Sequence, residues 1–470
     1  MRRLVVRIGP IRREPAWLVV TLAVCRVVSR GARRLARAPF GVLAVVALAG
    51  WAVLLTVYGW RWWQLGPTVV VVLLGWRWLW PSGFGRVLGL PLRSVRRGGR
   101  IYRRQWSSAM DASGLVRVTE QARQVPRLVR VRSSRSVDRV TVEMLPGQVL
   151  DDFAGVADRL AQTFGALDCR VHSVPRRPHR LELWMLIKEP LEQIVEPFPT
   201  TVDDLTRGIP VARSEDGQVH RLVIVGSHVL VVGATGSGKG SVVWSLLVGL
   251  RPAITAGLVR VWAIDPKGGM ELSLGVGLFD RFCHGDATSA SYEEAFAVLL
   301  DDAVTVMRQR QDLLRGVTRL HEPSVDEPLL IIVIDELAAL SGWVADRTLK
   351  KRIETALGLL LSQGRAVGVV VLGAVQDPRK EVLPMRDLFP TRIALRVSEA
   401  EQVGLVLGQG ARARGAFADR IPERLPGVGY VVVDGIAEPR RVRFFYVTDD
   451  RIVEAGRQHA ASVDASEVAA

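Results

Sequence analysis

The stretch Leu230-Val-Val-Gly-Ala-Thr-Gly-Ser-Gly-Lys-Gly-Ser241 runs from apolar residues of strand length into a glycine-rich turn that ends in a lysine. Few folds can use such a segment. Backbone N–H groups converge on an anion only where side chains are small, and a helix starting at the turn brings its positive end to the same place. The expected cradle is Gly233, Ala234, Thr235, Gly236, Ser237, Gly238, Lys239, Gly240 and Ser241, with Lys239 placed to meet the outer phosphates of a nucleotide such as ATP. Glycine-rich turns also occur at ordinary strand-to-helix junctions, so the rest of the chain has to decide.

Pro328-Leu-Leu-Ile-Ile-Val-Ile-Asp335-Glu336 is a continuous apolar run of buried-strand length that ends in two carboxylates. A core strand has no need of two acids at its tip, whereas phosphoryl chemistry does. Asp335 would hold Mg²⁺ through water and Glu336 would act as general base on the attacking water. One position departs from this scheme: Gly240 stands where a hydroxyl ordinarily ligates Mg²⁺. Ser241 lies about 100° further round the helix, so as a metal ligand it needs a shifted turn.

Charge is distributed very unevenly. Of the net +16, residues 1–104 carry +18 and the remainder −2. A global excess of this kind would suggest nucleic acid, but here it flanks apolar segments, where cytoplasmic Arg sets membrane orientation. Residues from about 40 to 58 carry no charge over nearly the length of a bilayer crossing. A second span is expected over about 62–80; it contains Arg77, and six of the thirteen Trp fall between Trp60 and Trp80, the belt expected of interface anchors. The apolar run from Ala16 to Val24 is too short to span, and Arg26 follows it in place of a small-residue cleavage site, so an interfacial segment is expected. The resulting hairpin leaves the N-terminus and the large C-terminal part in the cytoplasm at the cell membrane. Cys25, Cys169 and Cys283 are too few and too dispersed for a disulfide framework or metal box.

The expected organisation is an Arg-rich membrane anchor (1–104), a small α/β domain (105–200), an α/β motor (201–450) and a flexible tail (451–470). In the small domain, strands are expected from Arg139 and from Arg180, and one helix over Asp151–Phe164 capped by Asp151 or Asp152. The basic stretch Arg127–Arg139 reads as a solvated edge. In the motor, strands and helices alternate, which predicts a mostly parallel sheet. Polar residues mark three strand tips: Asp265-Pro-Lys267, Asp335-Glu336 and Gln376. Ligands bind at that edge of such sheets.

Gly-Ala-Thr-Gly-Ser-Gly-Lys239, Ile264-Asp-Pro-Lys267 with Met270-Glu-Leu272, Val333-Ile-Asp-Glu-Leu-Ala338, Gly364-Arg365-Ala-Val-Gly368 and Ala374-Val-Gln376 occur in this order. Together they resemble the FtsK/SpoIIIE family of membrane-anchored DNA-pumping ATPases, and among them the actinobacterial conjugative transfer proteins. The resemblance implies a RecA-like P-loop NTPase motor, with ATP and Mg²⁺ as cofactors. Lys239 and Glu336 would be catalytic, Gln376 a γ-phosphate sensor, and Arg365 a residue acting across a subunit boundary. Asp335 and Ser241 would serve the metal. The implied partners are double-stranded DNA, the membrane and further copies in a hexameric ring. Phosphate contacts by Lys267, Arg412 and Arg414 are candidates. The chain stops soon after Phe444-Phe-Tyr-Val-Thr, so site-directed loading is expected to need a separate sequence-reading DNA-binding protein. The resemblance also leaves open a septal chromosome translocase, a type VII-like protein-export ATPase or a nucleotide-sensing scaffold. Asp377 follows Gln376 where the family commonly has Arg.

Overall fold

The computed structural model describes residues 70, 74–78 and 80–469, apart from 120, 121, 135, 175, 286–291, 343 and 380–382. The first expected membrane span lies outside these residues, as do twelve of the nineteen residues of the second. Among the described residues no helix is long and apolar enough to cross a membrane. The chain divides into two compact units, with the division between Lys188 and Glu189.

In the first unit, helical residues run from Pro81 to Ala112 and include α1 (Leu90–Arg97) and α2 (Arg104–Ala112), joined by π-helical turns over Gly98–Arg103. A short ribbon of β1 (Arg117–Thr119) and β2 (Ala122–Gln124) precedes an antiparallel sheet in the order β3–β4–β6–β5. Its strands are β3 (Arg127–Ser133), β4 (Val137–Glu143), β5 (Asp168–Ser173) and β6 (Arg180–Leu186). Alternate residues Val140, Val142, Leu181 and Leu183 turn inward onto Tyr102, Trp106, Met110, Phe153, Leu160 and Phe164. Tyr102 is therefore part of this core, and a boundary at 104 cuts through the helix that supplies it. β3 is an edge strand with Arg127, Arg130 and Arg132 exposed, a charged rim that discourages further strand pairing. The single helix expected over Asp151–Phe164 is instead two, Leu150–Ala154 and α3 (Ala157–Phe164), because Val156, at φ −115° and ψ 11°, leaves the helical path after Gly155. Its cap is Val149, whose N–H donates to the Asp152 carboxylate at 2.9 Å, so Asp152 works from the third helical position.

The second unit is built on a ten-stranded sheet in the order β11–β10–β12–β13–β9–β14–β15–β16–β7–β8. Its first six strands are parallel: β11 (Arg281–His284), β10 (Val259–Asp265), β12 (Leu329–Ile334), β13 (Val369–Val375), β9 (Val229–Val232) and β14 (Thr391–Ala394). β15 (Val428–Val433), β16 (Ile436–Phe444), β7 (Ile209–Ser214) and β8 (Val219–Leu222) extend it antiparallel. Both faces are covered, which explains the unbroken apolar run of β12. Leu330, Ile332 and Ile334 point into a core that holds Phe296, Leu300 and Met307 of α5 (Tyr292–Leu314), Leu357 and Leu360 of α7 (Arg347–Gln363) and Val403 of α8 (Ala400–Leu407). Leu329, Ile331 and Val333 point the other way, among Trp244 and Leu247 of α4 (Lys239–Thr255). A parallel strand buried on two faces cannot show a period of two. α6 (Leu337–Gly342) follows β12 directly.

Two expected boundaries move. Arg441 is buried and forks onto Glu189 Oε1 and Oε2 at 2.7 and 3.0 Å, and Arg443 donates to the Leu191 carbonyl at 2.8 Å. These contacts tie residues 189–192 to β16, so the unit starts before residue 201. At the other end, the segment expected as a flexible tail is helical, α9 (Asp449–Ala469), and buries Ile452 and Ala455 in the core that holds Trp244. Its alanine content, read as fraying, serves helix propensity once two apolar residues are docked.

His228, fully buried just before β9, accepts a hydrogen bond from the Val371 N–H at Nδ1, 3.0 Å away. Burial pushes its pKa down to about 4. The unfolded chain takes up a proton near pH 6.5 while the folded one does not. Stability is therefore complete above pH 6.5 and declines as pH falls toward 4. The melting temperature is expected to drop between pH 7 and pH 5, and His228→Asn should flatten that decline, by up to about 1.4 kcal/mol per pH unit in denaturant titrations. An identical pH dependence in the variant would contradict this assignment.

Candidate functional site

Parallel strands that start on one side of a sheet end on the other, so the register of β10, β12, β13 and β9 determines what gathers there. Ile264 pairs with Ile334, Ile334 with Gly373, and Val375 with Val232. Asp265, the Asp335–Glu336 pair, Gln376 and the Gly233–Ser241 turn therefore meet at one edge. The turn is braced from both flanks. The Gly233 N–H donates to the Val375 carbonyl at 3.2 Å, Ala234 N–H to the Arg396 carbonyl at 2.8 Å, and Gly427 N–H to the Ser237 carbonyl at 2.8 Å. Arg396 also donates to the Thr235 carbonyl at 3.0 Å. Gly238 has φ +94°, and a Cβ there would overlap the Gly427 backbone nitrogen, so both conformation and space demand glycine. Thr235 and Gly236 remain exposed, leaving the outer side of the cradle open. Lys239, at the start of α4, curls back to donate to the carbonyls of Gly233 at 2.9 Å and Ala234 at 3.5 Å.

The carboxylates opposite are nearly dry. The side chains of Asp335 and Glu336 are 7% and 1% exposed, and the Lys267 ammonium lies 3.1 Å from Asp335 Oδ2 and 3.2 Å from Glu336 Oε2. Two desolvated negative charges need such a partner. Burial opposes the charge on Lys267, but Asp335 and Glu336 outweigh it and raise its pKa. Lys239 goes the other way: burial lowers it, only partly offset by Glu336, Asp335 and Glu271. Asp265 organises this side of the site. Its carboxylate accepts the N–H groups of Lys267, Glu271 and Leu272, each at 3.0 Å, and so dictates the path of the turn that carries Lys267 and Glu271. Gln376 joins the two halves. Its N–H donates to Glu336 Oε1 at 3.3 Å, and its side-chain oxygen accepts from the Thr235 hydroxyl at 3.2 Å.

Other expected site residues fall elsewhere. Arg365 lies in the turn Gly364–Val367 that leads into β13, at the opposite edge of the sheet, exposed and near His228. Lys267, read as a DNA contact, instead neutralises the acid pair. Arg412 forks onto Asp419 at 3.3 and 3.0 Å and stacks by Phe417, while Arg414 donates to the Gln409 carbonyl at 3.3 Å. Both are engaged within their own loop. Asp377 accepts the Arg379 N–H at 3.1 Å. The Ser241 side chain packs against Gly427, its Cβ and hydroxyl each 3.7 Å from where a Cβ on that glycine would stand. The side-chain direction at Gly240 is taken by a different group: a Cβ there would overlap Glu271 Oε1. Glu271 stands in the Met270-Glu-Leu272 match but received no role from sequence reasoning, because five residues separate it from the strand tip. Among the described residues no group of three or more His, Cys, Asp or Glu forms a metal-ligating cluster. Mg²⁺ does not require one, since it keeps waters and takes one or two carboxylates with substrate phosphates.

The chain is similar in sequence to known transfer proteins and translocases. Transfer protein TraSA of Streptomyces ambofaciens is 28% identical over 354 residues, 71% of this chain and 82% of that protein. DNA translocase FtsK of Corynebacterium efficiens is 30% identical over 260 residues, half of this chain but 25% of its own length. The solved monomer of the pCW3 conjugation coupling protein TcpA with ATPγS covers 77% of this chain and 99% of that one, at 19% identity and a TM-score of 0.47. The FtsK/SpoIIIE family model matches residues 192–418, which contain every element of the strand-tip site. Residues 192–418 are thus an FtsK/SpoIIIE domain.

Proposed function

We propose that this chain binds ATP with Mg²⁺ and couples hydrolysis to movement of double-stranded DNA, as a membrane-anchored subunit of a homo-oligomeric, hexameric ring that serves intercellular transfer of a plasmid or integrative element. The observation that carries the reading is the connection through Gln376, which links the phosphate turn at Thr235 to the buried acid Glu336. The similarity to TraSA over most of that protein's length supports the transfer role, and the +18 charge of residues 1–104 beside apolar stretches supports the anchor.

Each residue then has a task in the site. Lys239 exchanges the carbonyls of Gly233 and Ala234 for phosphate oxygens, a stronger, charge-assisted partner. The turn's backbone N–H groups cradle the phosphates. Asp335 holds the metal, which when bound would neutralise phosphate charge. Glu336, freed from Lys267, accepts the proton of the attacking water. Gln376 touches both turn and base, so a change in the bound phosphate reaches Glu336 through one side chain. Arg365, facing the other edge, would act on a neighbouring copy's nucleotide. Contacts to DNA would be made to phosphates and weaken steeply with salt.

Purified protein is expected to hydrolyse ATP faster with duplex DNA than with single-stranded or no DNA. Lys239→Ala should abolish nucleotide binding. Glu336→Gln should keep binding but lower kcat about 10²–10⁴-fold, the range for a lost general base. Equal rates in parent and both variants, measured by phosphate release, would remove the motor reading.

A further inference from the structure

Gly240 occupies the position where this kind of turn supplies a hydroxyl to the metal, and the vacated direction is filled. Glu271 Oε1 lies so near that a Cβ on Gly240 would overlap it. The approach is built rather than incidental: the Glu271 N–H is anchored on Asp265 Oδ2 at 3.0 Å, with Leu272 N–H on the same oxygen, which fixes the Glu271 backbone at the strand edge. The Ser241 side chain, by contrast, packs against Gly427. Glu271 also lies within electrostatic reach of Asp335, Lys267 and Lys239.

We propose that the Glu271 carboxylate takes the place of the missing hydroxyl as an oxygen ligand for the divalent cation, together with Asp335, and that Gly240 is the residue that makes room for it. The inference rests on the nucleotide-binding reading above. Chemically the exchange suits Mg²⁺, which accepts one or two carboxylates beside phosphate oxygens and water. It adds a negative charge to the site, which Lys267 and Lys239 offset only in part. It also predicts a reciprocal relation: a serine at 240 and a carboxylate at 271 compete for one space, so either alone serves the metal and both together do not.

The test is Mn²⁺ binding to the full-length protein with a non-hydrolysable ATP analogue, read by electron paramagnetic resonance of free Mn²⁺, with analogue affinity in EDTA and thermal melting as controls. Glu271→Gln should weaken Mn²⁺ at least about tenfold, the lower end of what losing a supporting group at a metal site costs, with analogue affinity in EDTA unchanged. Gly240→Ser alone should not strengthen Mn²⁺ binding. The double variant Gly240→Ser, Glu271→Ala, which clears the space that an isosteric glutamine would still fill, should recover most of the parent's affinity. Parent-like Mn²⁺ binding by Glu271→Gln, or tighter binding by Gly240→Ser alone, overturns the proposal. A loss without rescue in the double variant assigns Glu271 to shaping its turn and overturns it as well. If the parent binds no analogue at all, the nucleotide-binding reading fails with it, and the control in EDTA distinguishes that outcome from a failure of the metal ligand alone.

Discussion

The parallel hydrogen-bond ladder through β10, β12, β13 and β9 is the constraint on which the rest of the molecule depends. Its register pairs Ile264 with Ile334, Ile334 with Gly373 and Val375 with Val232, so strands far apart in the chain terminate side by side. A shift of one residue in any pairing would turn its side chains to the other face, and both faces are packed. The cores on the two sides thus hold the site in register, although no core residue takes part in the chemistry.

What the ladder assembles is an edge where charge is concentrated and water is scarce. Asp335 and Glu336 would be expensive to bury without Lys267 between them. Lys239 is meanwhile held on backbone carbonyls of its own turn. In this arrangement the two lysines are separately occupied, one by acids and one by dipoles, and an incoming polyanion with its cation offers each a better partner. Asp265 touches neither lysine's head group, but by accepting three backbone N–H groups it determines where Lys267 and Glu271 stand.

Much of the site could be read in the chain because phosphate chemistry imposes local patterns. The glycines of 233–238 are needed for backbone geometry, and an apolar run ending in Asp335-Glu336 has little other use. The parallel sheet followed from strands and helices in alternation. Errors arose where local pattern and tertiary context part. Asp151–Phe164 keeps helical spacing across Gly155 and Val156, yet the chain breaks there. The 451–470 segment looks like a solvated tail, but Ile452 and Ala455 find a core to enter. Glu189 lies before the expected boundary because Arg441, some 250 residues later, claims it.

By itself the sequence determined the fold class and the phosphate turn, since glycine placement and buried-strand length are properties of neighbouring residues. Only the tertiary structure decided which charges face one another. Lys267 reads as a candidate phosphate contact until the adjacent strand carries Asp335 and Glu336 to it. Gly240 reads as a defect until the Asp265 turn places Glu271 in the space it leaves. Both relations are made across the sheet, through strand register and turn path, and no spacing along the chain encodes them.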